Sequence, residues 1–208
     1  MKIKILALLL IAAFFSSCCN KESIETARYE LSEDELNLIP YEEGQKINFE
    51  HSNGYEFCFE VVENRVEWKE HHDFCEWGCC GKDYFSYQVK YVRIKSSYPK
   101  LNIEFSVGGT GYGGYLEDLI YISVNSGYFA SIMYDSLANF ICTEAADVTC
   151  YDSVNINGNY YYGVVKKDFE SGFAQDSTVL AIKSLLYNKQ HGLIQLEMTN
   201  NETYSINN

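Results

Sequence analysis

The densest group of residues that could perform chemistry is the stretch HHDFCEWGCCGK, which runs from His71 to Lys82. Imidazole and thiolate groups bind zinc, and three residues separate Cys75 from Cys79, which is the spacing of half a structural zinc site. A complete site needs a second pair of this kind, and the adjacent Cys80 cannot easily share one tetrahedral centre with Cys79. We therefore predict no metal and keep zinc binding as the alternative. The candidate ligands of that alternative are His71, His72, Cys75 and Cys79.

A second group of cysteines, at the N terminus, indicates where the chain is sent. The opening MKIKILALLLIAAFFSSCCNKE has a basic start, an apolar run from Ile5 to Phe15 and two serines before Cys18. This is the plan of a secretory signal peptide, and the run is shorter than the roughly 20 residues that span a bilayer. FFSSC resembles the lipobox of bacterial lipoproteins, whose cysteine carries a diacylglycerol and is acylated as the new N terminus. The resemblance implies a signal peptide over residues 1–17, lipid attachment at Cys18 (alternatively Cys19) and anchoring to the outer membrane, on a face that stays open.

The predicted export also bears on the other six cysteines, because cysteines of exported proteins usually form disulfide bonds. Six cysteines allow three disulfides. Cys142 and Cys150 flank the short polar segment TEAADVT and are predicted to pair. The remaining four are Cys58, Cys75, Cys79 and Cys80. We predict two bridges among them, in which Cys58 takes one cysteine of the adjacent pair and Cys75 takes the other, with the connectivity left open.

The charge of the chain argues against nucleic acid as a partner. The formal net charge is −13, and loss of Lys2 and Lys4 with the signal peptide leaves 14 basic residues against 29 acidic ones, or −15. An acidic surface repels polyanions and anionic headgroups. We therefore expect contact with the membrane only through the N-terminal lipid.

Hydrophobic alternation with a period of two predicts an all-β fold. Ser32 and Glu35 fit a capping box for one helical turn that Pro40 ends, and the apolar phase slips near Tyr91, which indicates a bulge. The fold class is therefore an antiparallel meander, folded as a sandwich or an open half-barrel, after a short N-terminal helical turn. Strands are predicted at 46–49, 55–61, 66–69, 84–94, 101–107, 119–124, 128–134, 148–156, 159–166, 179–187, 192–198 and 202–206. We expect a membrane tether over 18–30 and one β-rich domain over 31–208, with a soft boundary at 108–114.

Two long blocks resemble a known group of proteins. IPYEEGQKINFEHSNGYEFCFEV (39–61) and LLYNKQHGLIQLEMTNNETYSI (185–206) resemble the first and closing hairpins of uncharacterised lipoproteins of the Bacteroidetes type. The resemblance implies anchoring and a β-rich fold, and it supplies no catalytic residues. Three Asp-Ser tripeptides resemble the O-glycosylation acceptors of the same bacterial group, and their candidate serines are Ser136, Ser153 and Ser177.

No motif in the chain indicates catalysis or a cofactor. The glycines of GGTGYGG formally match the dinucleotide fingerprint, but that motif needs a following helix and Leu116 to Val124 has the pattern of a strand. We therefore predict no cofactor, no catalytic residue and no enzyme activity.

Tyrosines near glycine-containing turns are the best indication of binding, because exposed aromatic rings can stack on glycans or on protein partners. They are Tyr112, Tyr115, Tyr128, Tyr160, Tyr161 and Tyr162, and packing within the β core is the competing interpretation. The first hypothesis is a lipid-anchored binding or accessory module that contacts a glycan or an envelope protein. The alternative is a carrier of an apolar ligand in an open half-barrel, and the third is an envelope hydrolase without a recognisable motif.

Overall fold

The structure, a computed structural model, describes residues 24–72, 83–108, 119–125, 128–133, 147–169 and 182–207. Within these residues the chain forms twelve strands and one helical turn. They are β1 (Glu25–Tyr29), α1 (Glu33–Leu36), β2 (Lys46–His51), β3 (Glu56–His72), β4 (Tyr84–Ser96), β5 (Leu101–Val107), β6 (Leu119–Val124), β7 (Tyr128–Met133), β8 (Val148–Ile156), β9 (Asn159–Asp168), β10 (Ile182–Asn188), β11 (Gly192–Met198) and β12 (Thr203–Ile206).

All twelve strands belong to one sheet, which curls into a nearly closed, barrel-like shape and confirms the all-β prediction. Its order is β7-β6-β5-β4-β3-β2-β12-β11-β10-β9-β8, and every neighbouring pair on this path is antiparallel. β12 pairs with β2, so the last strand in the chain lies beside an early one in the middle of the sheet. This pairing brings the four strands from β8 to β11 together on one side of the barrel.

The predicted helical turn is present with both halves of its capping box. Ser32 Oγ accepts from Glu35 N at 3.3 Å, and Ser32 N donates to Glu35 Oε2 at 2.7 Å. These two bonds satisfy donors that a four-residue helix cannot satisfy internally. The turn ends at Leu36, four residues before Pro40.

The predicted bulge near Tyr91 is wrong in its position. Tyr91 lies opposite Arg65 in an unbroken register, and the irregularity between β3 and β4 falls between Val61 and Glu63. The apolar phase of β4 changes for another reason. In the first half of β4, buried residues occur on both faces of the strand, for example Val89 on one face and Lys90 on the other. The alternation of apolar residues is therefore interrupted by a buried lysine and not by a bulge.

The expected tether over 18–30 is also partly wrong, because its second half is β1, which pairs in parallel with β4. Arg28 lies over the Trp68 ring, with its guanidinium carbon 4.0 Å from the ring centroid. Tyr29 meets Phe85 edge to face at 5.8 Å. Four of the five β1 side chains are exposed, so the strand lacks the apolar alternation by which sequence reasoning finds strands.

Side chains fill the inside of the curled sheet, and the segment between α1 and β2 contributes to this core. Leu38 and Ile39 are fully buried. Tyr187 Oη donates to the Leu38 carbonyl at 2.7 Å, and Tyr41 Oη accepts from Leu193 N at 2.6 Å. Other large, fully buried side chains are Phe49, Phe59, Phe105, Ile94, Ile103, Ile120, Ile122, Ile132 and Leu185.

A buried lysine holds the same segment against β4. Lys90 Nζ donates to the carbonyls of Leu36 at 2.7 Å and Ile39 at 2.9 Å. Asn64 Nδ2 donates to the Tyr41 carbonyl at 2.7 Å. Burial lowers the pKa of Lys90, since an apolar surrounding disfavours the charged ammonium. The segment is therefore fixed by hydrogen bonds to its backbone as well as by its apolar side chains.

The stretch proposed as a soft boundary, 108–114, lies outside the described residues except for Gly108. The strands on either side of it, β5 and β6, pair with each other from Ile103 opposite Val124 to Val107 opposite Ile120. The strands before and after the proposed boundary are therefore neighbours in one sheet. Of the described residues, no helix has the length and apolar character needed to cross a membrane.

Candidate functional site

The two histidines of the cysteine-rich stretch end β3 and belong to its ladder with β4. His71 packs on Phe85 with ring centroids 5.0 Å apart, and His72 packs on Tyr84 at 5.4 Å. As neighbours in an extended strand, they point to opposite faces of the sheet. The other candidate ligands, Cys75 and Cys79, lie outside the described residues. Within the described part of the chain, no three His, Cys, Asp or Glu side chains are grouped closely enough to hold a metal ion.

The predicted bridge from Cys58 is wrong, because Cys58 is free and exposed on β3. The cysteines predicted to bridge to it, Cys79 and Cys80, lie outside the described residues.

Several predicted site residues lie outside the described residues, so their roles stay predictions. They are Cys18, Cys19, Cys80, Cys142, Ser136, Ser177, Tyr112 and Tyr115, together with Gly109 to Gly114 of the glycine-rich stretch. Cys150 is half-buried in β8, and its pairing with Cys142 remains a prediction. Ser153 is exposed on the same strand. Tyr128 is the first residue of β7.

A groove of about 460 Å³ runs across the four strands from β8 to β11. This volume is in the range of small-molecule sites in proteins. The lining residues come from all four strands and are mostly polar. They are Tyr151, Ser153, Val154, Asn155, Lys166, Ser184, Leu186, Gln195 and Glu197. We refer to this set as the β8–β11 groove.

Two strongly exposed tyrosines stand beside this groove. Tyr160 is 64% exposed and Tyr162 is 70% exposed, whereas Tyr161 between them is buried in the core. Tyr162 lies directly opposite Ser153, and Tyr160 lies directly opposite Asn155. Cross-strand partners project from the same face of a sheet with Cβ atoms about 4.5–5.5 Å apart. The two phenol rings therefore border the groove on the side formed by β8 and β9.

The charged groups of the groove are already paired. Glu197 accepts from Lys183 Nζ at 2.6 Å and from Ser184 Oγ at 2.9 Å. The hydrogen bond from Lys183 is the main reason that the pKa of Glu197 is below its usual value. Lys166 Nζ lies 2.8 Å from Asp168, whose hydrogen bond raises the pKa of Lys166. At neutral pH the groove therefore holds balanced ion pairs rather than an unpaired charge.

Neutral polar groups remain open to a ligand. Gln195 Nε2 donates to Ser205 Oγ at 2.8 Å, which leaves the amide oxygen of Gln195 available. Asn155 Oδ1 accepts from Gly158 N at 3.3 Å, which leaves the side-chain NH₂. The Ser153 hydroxyl makes no hydrogen bond within the described residues. These atoms provide both donors and acceptors along the groove.

Sequence reasoning proposed Tyr160, Tyr161 and Tyr162 as binding residues, which is wrong for the buried Tyr161. It proposed Ser153 as a glycan acceptor, and it missed the groove beside Ser153 and the two exposed tyrosines. Lys166, Ser184 and Glu197 carried no signal, because polar residues that alternate with apolar ones are also the pattern of an ordinary solvent-exposed strand face. Comparison with protein-family models, with curated proteins and with solved structures gave no match. The groove must therefore be interpreted from its own geometry and chemistry.

Proposed function

We propose that this chain is a lipid-anchored binding module of the cell envelope, without catalytic activity, whose ligand occupies the β8–β11 groove. The observation that carries the proposal is the position of the groove beside two exposed tyrosines. Exposed aromatic rings next to a mostly polar concavity are suited to a ligand with both apolar and hydrogen-bonding surfaces.

The chemistry of the groove argues against the third hypothesis, an envelope hydrolase. Ser184 donates its hydroxyl proton to the Glu197 carboxylate, and no histidine is among the described lining residues to accept that proton. Glycoside hydrolysis needs two carboxylates facing a common space. Among the described lining residues, Glu197 is the single carboxylate, and its hydrogen bonds to Lys183 and Ser184 stabilise the charged form rather than an acid.

The carrier hypothesis needs an apolar space, and the described part of the barrel interior is filled by side chains. The aliphatic lining residues of the groove, Val154 and Leu186, are outnumbered by polar ones. An apolar ligand there would bury polar groups without partners, which costs free energy. These contacts support binding of a polar ligand over transport of an apolar one.

Membrane anchoring is part of the proposal and has its own test. Mass spectrometry of the native full-length protein, with and without reduction, would report acylation, the number of disulfides and any glycan. We expect a diacylglycerol-modified, acylated N-terminal cysteine at Cys18. A mature mass without acyl chains would refute the anchor and leave the groove to be tested separately.

The groove is tested by filling it. Ser153→Trp places a large side chain on an exposed lining position, so it requires no rearrangement of the core. Asn48→Trp is the matched control, since Asn48 is also an exposed polar strand residue but lies on β2, outside the four strands that form the groove. We expect full-length protein in detergent to retain components of a solubilised envelope fraction, and S153W to lose them while N48W keeps them. Equal retention by both variants would refute the site.

A further inference from the structure

The geometry points to a neutral saccharide as the ligand of the β8–β11 groove, stacked on Tyr160 and Tyr162. This inference rests on the proposed binding function and narrows it to one class of ligand. It combines the arrangement of the tyrosines, the charge balance of the groove and the polar atoms that remain unused.

The tyrosines form a stacking platform of defined size. Tyr160 and Tyr162 are two residues apart on one face of β9, so their Cβ atoms are about 7 Å apart. Tyr151 lines the groove on β8 and lies opposite Val164, one diagonal step beyond Tyr162. The three phenols thus follow the strand direction from the β8–β9 turn toward the groove. The apolar faces of successive sugar rings can stack on a row of this kind.

The pairing of charges argues against an ionic ligand. An anionic ligand would have to compete with Asp168 for Lys166, and a cationic one with Lys183 for Glu197. Either would break an ion pair that the free protein already has. The chain also has a formal net charge of −13, which adds long-range repulsion of anions. A neutral ligand leaves both pairs intact.

The unused polar atoms match the hydroxyl groups of a sugar. A hydroxyl both donates and accepts, and so it can pair with the amide oxygen of Gln195, the side-chain NH₂ of Asn155 or the hydroxyl of Ser153. Carbohydrate hydroxyls alternate with apolar C–H faces. The groove has the corresponding two surfaces, polar atoms between the strands and aromatic rings at the border.

The experiment measures binding of full-length protein in detergent to neutral and anionic trisaccharides. A glycan array selects the probe, and titration calorimetry compares a neutral trimer such as cellotriose or tri-N-acetylchitotriose with trigalacturonate. We expect a neutral trimer to bind at least tenfold more tightly than the anionic one. Tyr160→Ser combined with Tyr162→Ser should weaken that binding at least tenfold, and Ser153→Trp should remove it.

Tyr98→Ser is the matched control, because Tyr98 is 69% exposed and follows β4, far from β8 and β9 in the strand order. It should bind the neutral trimer like the unaltered protein. Absence of neutral binding across the array, or affinity that survives the loss of Tyr160 and Tyr162, would overturn the saccharide inference. If S153W still abolishes retention of another envelope component, the binding module stands and the ligand class is different. If nothing is retained and no glycan binds, both are refuted.

Discussion

Gly192→Ala should be among the most destabilising single-methyl changes in this protein. Gly192 opens β11 with φ +73°, a left-handed conformation that costs an L-residue roughly 1–2 kcal/mol. A Cβ built on Gly192 would lie 2.3 Å from Tyr41 Oη and 2.5 Å from Tyr41 Cζ. Both distances are far inside van der Waals contact, so the ring of Tyr41 has to move.

The movement carries a second cost, because Tyr41 Oη accepts from the Leu193 backbone N–H at 2.6 Å in the core. A buried donor left without a partner costs about 1–3 kcal/mol. Together with the backbone term we expect a loss of about 4 kcal/mol in the free energy of unfolding. For a domain of this size that corresponds to a fall in Tm of roughly 8–16 °C.

Urea unfolding monitored by circular dichroism measures this loss, and two other glycines separate its causes. Gly54 and Gly158 also have positive φ, of +87° and +86°, and an added Cβ at either meets no atom within 4 Å. Their alanine variants should therefore show the backbone cost alone, about 1–2 kcal/mol. Adding Tyr41→Leu to Gly192→Ala should cost less than the sum of the two single changes, because the clash is then absent. If Gly192→Ala is no worse than Gly54→Ala, the steric reasoning is refuted.

Three further outcomes follow from the described contacts. Tyr187→Phe removes the bond to the Leu38 carbonyl and should lower the free energy of unfolding by about 1–3 kcal/mol, measured by urea titration; an unchanged midpoint would contradict it. Cys58→Ser should change stability by less than about 0.5 kcal/mol, and Cys58 should react with maleimide in non-reduced native protein; a bridged Cys58 in peptide mapping would show otherwise. The hydrogen bond from Lys183 is the main cause of the lowered pKa of Glu197. The ionised Glu197 therefore stabilises the folded protein above the ordinary carboxyl pKa, and this contribution is lost as the pH falls through the lower pKa of the folded state. NMR titration should show the carboxyl pKa rising toward its ordinary value in Lys183→Met, and an unchanged midpoint would exclude Lys183 as the cause.

Strand positions could be predicted closely wherever one face of a strand is apolar. β5 alternates without a break from Leu101 to Val107, and the structure has the same limits. β3 was predicted as two short strands, yet it is one strand of 17 residues. The difference lies at the irregularity between Val61 and Glu63, where the series of buried residues ends: beyond it, Val66 and Trp68 are exposed although the strand continues. Glu63 forms an ion pair with Arg93 on the neighbouring strand at 2.6 Å. The sequence around Glu63 is charged and therefore resembles a loop, although the residue is part of the paired strand.

The groove could not be predicted, because it depends on which strands become neighbours. Ser153 and Glu197 are 44 positions apart in the chain and line the same concavity, since β9 and β10 lie between their strands. Hydrophobic alternation assigns a residue to one face of its strand, but the prediction of binding at Tyr161 together with Tyr160 and Tyr162 is wrong for Tyr161, which is buried. Whether that face is flat, convex or grooved depends on the twist of several strands together. The two exposed tyrosines were therefore identifiable as binding candidates from sequence, whereas the polar atoms beside them gain a role only when the sheet curls.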